Sequence, residues 1–258
     1  MPRYGLIGMP LGHSASKEHF DRLFARLGLE DCHYSLYELA SLDDFGAWFR
    51  REGLSGCNVT SPYKQRVIAH LDRLDVSAAA VNAVNCICIE DGSLVGYNTD
   101  APAFQQTLER LMEVQGTVYT QAYILGSGGA AHAVGYALQK LSITHRYVSR
   151  TPAQHTGTIG YDSLRSALSV TDKSSRVLIV NATPVGMPST ISQSPLPSDF
   201  PFGEHITLYD LIYNPSPTLL MRCAAAKDAK VKDGLEMLHL QADLSWQHWS
   251  ACQAIKKS

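Results

Sequence analysis

No run of apolar residues in this chain approaches the ~20 needed to span a bilayer, and no cluster of lysine and arginine interrupts a balance of 22 basic against 24 acidic residues. The first absence argues against a membrane-spanning helix. The second removes the electrostatic footprint of a nucleic-acid or anionic-membrane binder. The six cysteines (Cys32, Cys57, Cys86, Cys88, Cys223 and Cys252) form no CxxC pair. They read as reduced thiols, and no metal is expected. Nor does a long apolar region precede a cleavage site: Met1 to Gly8 enters a strand-like pattern at once, which predicts a cytoplasmic protein. What is present is ordinary for a globular enzyme. The chain has 258 residues, 45% of them apolar and 18% charged, enough for one or two domains around a substantial core and for small-molecule chemistry.

Strand-like and helix-like runs alternate throughout, the pattern of an α/β protein with mainly parallel strands. Tyr4 to Gly8, Cys32 to Tyr37 and Leu54 to Val59 predict strands, with helices over Ser16 to Leu27 and Leu42 to Glu52. Ala83 to Ile89 and Ser93 to Tyr97 flank Glu90-Asp91-Gly92, a hairpin signal. A boundary is expected near residue 100, before a helix with Phe104, Leu108, Leu111 and Met112 on its apolar face. Ala122 to Leu125, Arg146 to Ser149, Val177 to Asn181 and Ile206 to Asp210 predict the strands of a second α/β unit. Pro184 to Pro201 holds five prolines and reads as a loop. Leu235 to Ile255 is helical and can return to the first unit.

Gly126-Ser127-Gly128-Gly129-Ala130-Ala131 satisfies G-x-G-x-x-A between a predicted strand and a predicted helix. Glycines there permit a tight turn and close approach of backbone to pyrophosphate, and the helix N-terminus adds N-H donors and a positive field. An NAD site commonly places an acid near the end of the next strand to take the ribose 2'-hydroxyl. Gly126 through Tyr161 contains no Asp or Glu. That strand ends instead at Ser149-Arg150-Thr151, where a guanidinium and two hydroxyls suit a 2'-phosphate, so NADP is the expected cofactor. Asn181 to Met187 follows another strand and reads equally as a nicotinamide-side wall or as an ordinary turn.

In the first half, Asn58-Val59-Thr60-Ser61-Pro62-Tyr63-Lys64 predicts a strand followed by a helix, with Ser61 as cap and Pro62 at the first helical position. Lys64 then falls in the first turn. A cation there opposes the helix dipole by roughly 0.3 to 1 kcal/mol, and such a field lowers a lysine's proton affinity. Gly12-His13-Ser14-Ala15-Ser16 leaves the first strand and opens a helix, so Ser14 and Ser16 read either as plain caps or as two hydroxyls aimed at a carboxylate. Asp100 is either an N-cap or a functional acid, and Asn85 in its strand is similarly open.

Taken in order, these segments together with Ala83-Val84-Asn85, Asn98-Thr99-Asp100, Asn181-Ala182-Thr183-Pro184 and Gly234 to Gln241 resemble the shikimate dehydrogenase family over nearly the full chain. The resemblance implies an α/β protein of two domains. One is an α/β substrate-binding and catalytic domain of residues 1–100 plus 235–258; the other is a Rossmann-type NADP-binding domain of residues 101–234. It implies reversible NADPH-dependent reduction of 3-dehydroshikimate to shikimate, with Lys64 and Asp100 as the catalytic pair. Ser14 and Ser16 would bind the substrate carboxylate, and Thr60, Asn85 and Gln241 the ring hydroxyls or the catalytic group itself. Tyr213 would approach the substrate. Gly126, Ser127, Gly128, Gly129, Ala130, Ser149, Arg150, Thr151, Thr183, Leu211 and Gly234 would contact NADP.

Three departures from the family pattern stand out. Lys17 replaces a usual proline, Ser61 a usual valine, and Ser149 a usual asparagine. No second arginine follows in Pro152-Ala153-Gln154-His155, which implies a weaker 2'-phosphate clamp and leaves some NAD use open. Neighbouring readings are a quinate/shikimate dehydrogenase paralogue using NAD or NADP, a non-catalytic NADP-binding regulatory protein, and an enzyme of the methylenetetrahydrofolate dehydrogenase type. A small-molecule substrate is the expected partner, the chain acting as a monomer or homodimer.

Overall fold

The computed structural model describes residues 1–12, 14–152 and 157–255; His13, Ala153, Gln154 and His155 lie outside them. The chain divides into two units, residues 1–103 with 238–258, and residues 104–237. The first contains β1 (Arg3–Gly8), α1 (Ser16–Arg26), β2 (His33–Glu38), α2 (Phe45–Arg51), β3 (Leu54–Val59), β4 (Arg73–Leu74), α3 (Val76–Val81), β5 (Cys86–Glu90) and β6 (Ser93–Tyr97). The helix α4 (Asp100–Gln115) leads out of it. The second contains β7 (Gln121–Leu125), α5 (Gly129–Lys140), β8 (Thr144–Val148), β9 (Thr158–Ile159), α6 (Tyr161–Ser169), β10 (Val177–Asn181), β11 (Ile206–Asp210), α7 (Leu219–Ala225) and β12 (Lys230–Lys232), after which α8 (Leu235–Ile255) returns the chain to the first unit.

The first sheet has the order β2-β1-β3-β5-β6-β4. β1 lies parallel to β2 and β3, whereas β5 is antiparallel to both β3 and β6. Side chains alternate across its faces. Tyr4, Leu6, Cys86 and Cys88 face a core filled by Phe20, Leu23 and Phe24 of α1 and by Ala242 and Trp249 of α8. Ile7, Cys57, Val59 and Ile87 face the opposite core, with Phe45 and Phe49 of α2 and Ala78 of α3. Burying each large apolar side chain contributes roughly 1.5 to 3 kcal/mol. Gly56 is required where it stands: an added Cβ would enter the indole of Trp249, whose Nε1 donates to the Ile87 carbonyl at 3.0 Å. The β5–β6 turn has both Asp91 (φ 49°) and Gly92 (φ 81°) in the left-handed region, as a two-residue hairpin with the right twist demands.

The second sheet is wholly parallel, in the order β12-β11-β10-β7-β8-β9. This is the doubly wound Rossmann arrangement, with strand order reversing between β7 and β10. One face carries Tyr123, Leu125, Val177 and Ile179 against Leu164 and Leu168 of α6 and Leu220 and Ala224 of α7. On α4, the Thr107 hydroxyl and Phe104 ring meet Tyr209 at 2.8 Å and 5.1 Å between centroids.

The expected helix at Pro62 does not form. Residues 61–65 make turns, and only a five-residue 3-10 helix follows, Arg66–His70. Local propensity is overridden by tertiary contacts: the Tyr63 ring is buried with its hydroxyl on the Leu39 carbonyl, and the Lys64 carbonyl accepts from the Val84 amide at 2.7 Å. Lys64 therefore lies in no first turn of an α-helix of its own. The strand expected from Ala83 starts only at Cys86, because Asn82 closes α3 in the left-handed conformation and residues 83–85 run on as an irregular bridge.

Candidate active site

Lys64 leaves the β3 end of the first sheet and Asp100 starts α4. The lysine Nζ donates to Asp100 Oδ2 at 2.7 Å, with the two side chains only 17% and 7% exposed. Asp100 does not cap its helix. Asn98 does that work, its Oδ1 accepting from the Ala101 amide at 3.0 Å, which leaves the aspartate carboxylate for other partners. Asn85 supplies one: its Nδ2 donates to Asp100 Oδ1 at 3.0 Å and to Thr99 Oγ1 at 2.8 Å, with Gln241 Oε1 at 3.3 Å. Its Oδ1 accepts from the Thr99 amide at 2.7 Å. The carboxylate is thus fixed at both oxygens, and the ammonium is aimed by it.

Behind this pair lies a buried polar chain. Thr99 Oγ1 donates to the Gln241 carbonyl at 2.9 Å and lies 3.2 Å from Ser245 Oγ. Asn58 Nδ2 donates to Ser245 Oγ at 2.9 Å and to the Asn85 carbonyl at 3.1 Å, and Tyr34 donates to Asn58 Oδ1 at 2.9 Å. Burial raises the Tyr34 phenol well above its ordinary range, although a hydrogen bond with Ser16 opposes the shift. Ser16, Asn58, Asn85, Thr99, Asp100 and Ser245 are all buried, and no buried side-chain polar atom among the described residues lacks a partner. A fully satisfied network of this kind holds its members in one arrangement. Sequence reasoning found Ser16, Asn85, Asp100 and Gln241 but missed Tyr34, Asn58, Thr99 and Ser245. A buried polar residue at an inward strand or helix position was the available signal.

Ser14 Oγ accepts from the Ser16 amide at 3.2 Å, which braces the start of α1 and leaves the hydroxyl hydrogen to donate, while Ser16 is the first helical residue and not a cap. Thr60 follows β3, its amide donating to the Ile7 carbonyl at 2.9 Å and its methyl filling the space beside Gly8. Ser14, Ser16, Thr60, Asn85 and Gln241 therefore all belong to the unit that holds Lys64 and Asp100. Tyr213 belongs to the second unit, just after β11.

In that second unit the turn after β7 has the expected build. Gly126 sits at φ 110° with its amide donating to the Val148 carbonyl at 2.9 Å. A Cβ there would also crowd the Ala182 carbonyl oxygen at 3.2 Å, and the positive φ favours glycine. Nothing lies within 4 Å of the place a Gly128 Cβ would occupy; the backbone is open to an approaching group where α5 starts at Gly129. Leu125 pairs in register with Asn181 at the reversal of strand order, where doubly wound sheets take their ligands. Ser149, Arg150 and Thr151 follow β8; Arg150 and Thr151 are exposed, and Ser149 Oγ accepts from the Thr151 amide at 3.2 Å. Thr183 is pinned by Asn181, whose Oδ1 takes its amide at 3.1 Å and its hydroxyl at 2.7 Å. Gly234 abuts Leu211 so closely that a Cβ would collide with the Leu211 carbonyl. These residues fit a dinucleotide: a glycine turn, a helix N-terminus for pyrophosphate and a cation after the second strand. Among the described residues no group of His, Cys, Asp and Glu is arranged to hold a metal, and none of the six cysteines is joined in a disulfide.

Known proteins share both units. A family model described as the shikimate dehydrogenase substrate binding domain matches residues 6–87. The shikimate dehydrogenase (NADP(+)) of Pyrococcus abyssi is 36% identical over 257 residues, 97% of this chain and 92% of that protein. Among solved structures, shikimate dehydrogenase 1 from Peptoclostridium difficile superposes with a TM-score of 0.82 at 31% identity, covering 97% of this chain and 92% of that one. Shikimate 5-dehydrogenase from Thermus thermophilus, solved with NADP(H) and shikimate, gives 0.81 at 33% identity, covering 97% and 94%.

Proposed function

This chain belongs to the shikimate dehydrogenase family, and on that premise we propose that it catalyses the reversible NADPH-dependent reduction of 3-dehydroshikimate to shikimate. The observation that carries the reading is the Lys64–Asp100 pair, braced by Asn85, in a chain related along its whole length to NADP(+)-dependent shikimate dehydrogenases. The enzyme is an oxidoreductase and its cofactor is NADP.

Carbonyl reduction adds a hydride to carbon and a proton to oxygen. NADPH, when bound, supplies the hydride. The protein has to neutralise charge growing on the carbonyl oxygen, and Lys64 is the group for it, as proton donor and as a positive charge in a sheltered place. Asp100 takes one of the three ammonium donors and so aims the others. Asn85 fixes the far oxygen of Asp100, so the pair does not reorganise as the reaction proceeds.

The remaining assignments belong to the proposal and rest on motif order and local geometry. Ser14 and Ser16 bind the substrate carboxylate, Thr60, Asn85 and Gln241 its hydroxyls, and Tyr213 approaches it. The unit holding Lys64 is the substrate domain. The unit holding Gly126, Ser127, Gly128, Gly129 and Ala130 is the cofactor domain, where Ser149, Arg150 and Thr151 take the 2'-phosphate and Thr183, Leu211 and Gly234 the nicotinamide end. A cytoplasmic location accords with six cysteines outside any disulfide, and the chain acts as a monomer or homodimer. The test is absorbance at the NADPH band with shikimate or quinate, each offered with NADP or NAD. Strong reduction with shikimate and NADP is expected; preference for quinate, or for NAD, contradicts the reading.

A further inference from the structure

Thr183, Leu211 and Gly234 come from three separate segments of the second unit, and one buried side chain ties those segments together. Asp210, the last residue of β11, is fully buried. Its Oδ1 accepts from Asn181 Nδ2 at 2.9 Å and from the Ile212 amide at 3.1 Å, and its Oδ2 accepts from Thr218 Oγ1 at 2.8 Å. Each contact leads outward. Asn181 holds Thr183 by amide and hydroxyl, and its carbonyl accepts from the Leu211 amide at 3.0 Å. Ile212 passes its carbonyl to the Gly234 amide at 3.3 Å. Thr218 caps α7, accepting from the Met221 amide at 3.2 Å, and lies against Gly186. Among the described residues no ion pair reaches Asp210, and the nearby Asp233 repels it. Burial, the larger effect, pushes the Asp210 carboxyl up to about 6 against its three hydrogen bonds.

A buried carboxylate without a cationic partner is costly, and stability alone favours an apolar residue in its place. Three convergent donors at the carboxyl edge of the sheet, beside the reversal of strand order, point to a task of holding loops in register for a ligand. We propose that Asp210 is a positioning residue for the nicotinamide end of NADP, fixing Thr183, Leu211 and Gly234 through Asn181, Ile212 and the turn to Thr218. This rests on the reading of the second unit as the cofactor domain. Asp210 itself touches neither cofactor nor substrate in this role.

The experiment measures dissociation constants for NADP+ and, separately, for shikimate without cofactor, in the full-length protein. Asp210→Ala removes the acceptor shared by the Asn181, Ile212 and Thr218 donors and should weaken NADP+ binding roughly tenfold or more, with shikimate binding unchanged. Asp210→Asn keeps an acceptor for Asn181 and Ile212 and can donate to Thr218, so it should restore NADP+ binding to within about threefold of wild type. Asn181→Ala breaks the same chain from the other side and should reproduce the loss without adding to it in the double variant; this variant carries the test if Asp210→Ala does not fold. Wild-type NADP+ affinity in folded Asp210→Ala or in Asn181→Ala overturns the proposal, as does equal loss of shikimate binding. A wild-type protein that binds shikimate but no NADP+ overturns the cofactor reading itself, and the positioning role with it.

Discussion

Lys64 Nζ stands 2.7 Å from Asp100 Oδ2 across 36 residues of sequence, and the other oxygen of that carboxylate is held at 3.0 Å by Asn85. Lys64 sits in a turn and Asp100 at the start of α4, and the orientation of this proposed catalytic pair is a property of the network behind it.

Replacing Asp100 by Asn removes the counter-charge of a poorly exposed ammonium and sets an amide against the Asn85 donor. A group that aims the proton donor matters mainly during the reaction, so kcat is expected to fall by about tenfold to a hundredfold. Steady-state kinetics with 3-dehydroshikimate and NADPH check it. An unchanged kcat would show that Lys64 needs no aspartate to aim it.

Ser245 lies on no motif, yet its hydroxyl meets Asn58, Thr99 and the Gln241 carbonyl. Ser245→Ala strands a buried amide donor and should cost about 1 to 3 kcal/mol of stability. Denaturant unfolding reads the loss directly, and kcat should fall with it because Thr99 and Asn85 lose their backing. A neutral substitution would mean that the network tolerates a gap.

Arg150 is the cation available for a 2'-phosphate after β8. Removing charge-assisted hydrogen bonds of this kind weakens binding by between about tenfold and a hundredfold. Arg150→Ala should therefore lower kcat/KM for NADP by that factor and leave the value for NAD nearly unchanged. Parallel losses with both cofactors would place the 2'-phosphate elsewhere.

Much of the fold was legible in the sequence because its signals are local. The strands Leu54–Val59, Ser93–Tyr97, Val177–Asn181 and Ile206–Asp210 and the helix Leu235–Ile255 have the predicted bounds, since each pattern lies within its own short run of sequence. The glycine turn was legible for the same reason. Where long-range contacts decide, local pattern misled: Ser61-Pro62 carries every mark of a helix start, and burial of Tyr63 together with the Val84 contact at Lys64 holds the segment in turns. The short elements Arg73–Leu74, Thr158–Ile159 and Lys230–Lys232 have almost no pattern of their own and exist because a neighbouring strand pairs with them. Lys64 stands out in the sequence for opening a helix that does not form. Its partner Asp100 follows from family order, whereas Asn98's capping of the helix, which frees that aspartate, appears only in three dimensions.

The buried Asp210 carboxyl implies a pH dependence of stability. Its pKa of about 6 in the folded protein exceeds the ~3.9 of an unfolded aspartate. Between those values the native state binds more protons than the unfolded state, so stability falls as pH rises from about 4 through 6 and levels off above. The gap between the folded and unfolded values corresponds to about 3 kcal/mol. Asp210→Asn cannot titrate, so its stability relative to wild type should climb by about that amount from pH 4 to 7 in denaturant unfolding. A flat difference would mean that this carboxyl titrates as it does in the unfolded chain.

The role of Lys64 is tested most directly by turnover and NADP+ binding in Lys64→Ala. Loss of an interaction made in the transition state should reduce kcat by at least ~10²-fold, while the dissociation constant for NADP+ and the unfolding midpoint stay near those of wild type. Turnover close to wild type in that variant would contradict the assignment of Lys64 as the group that neutralises the carbonyl oxygen.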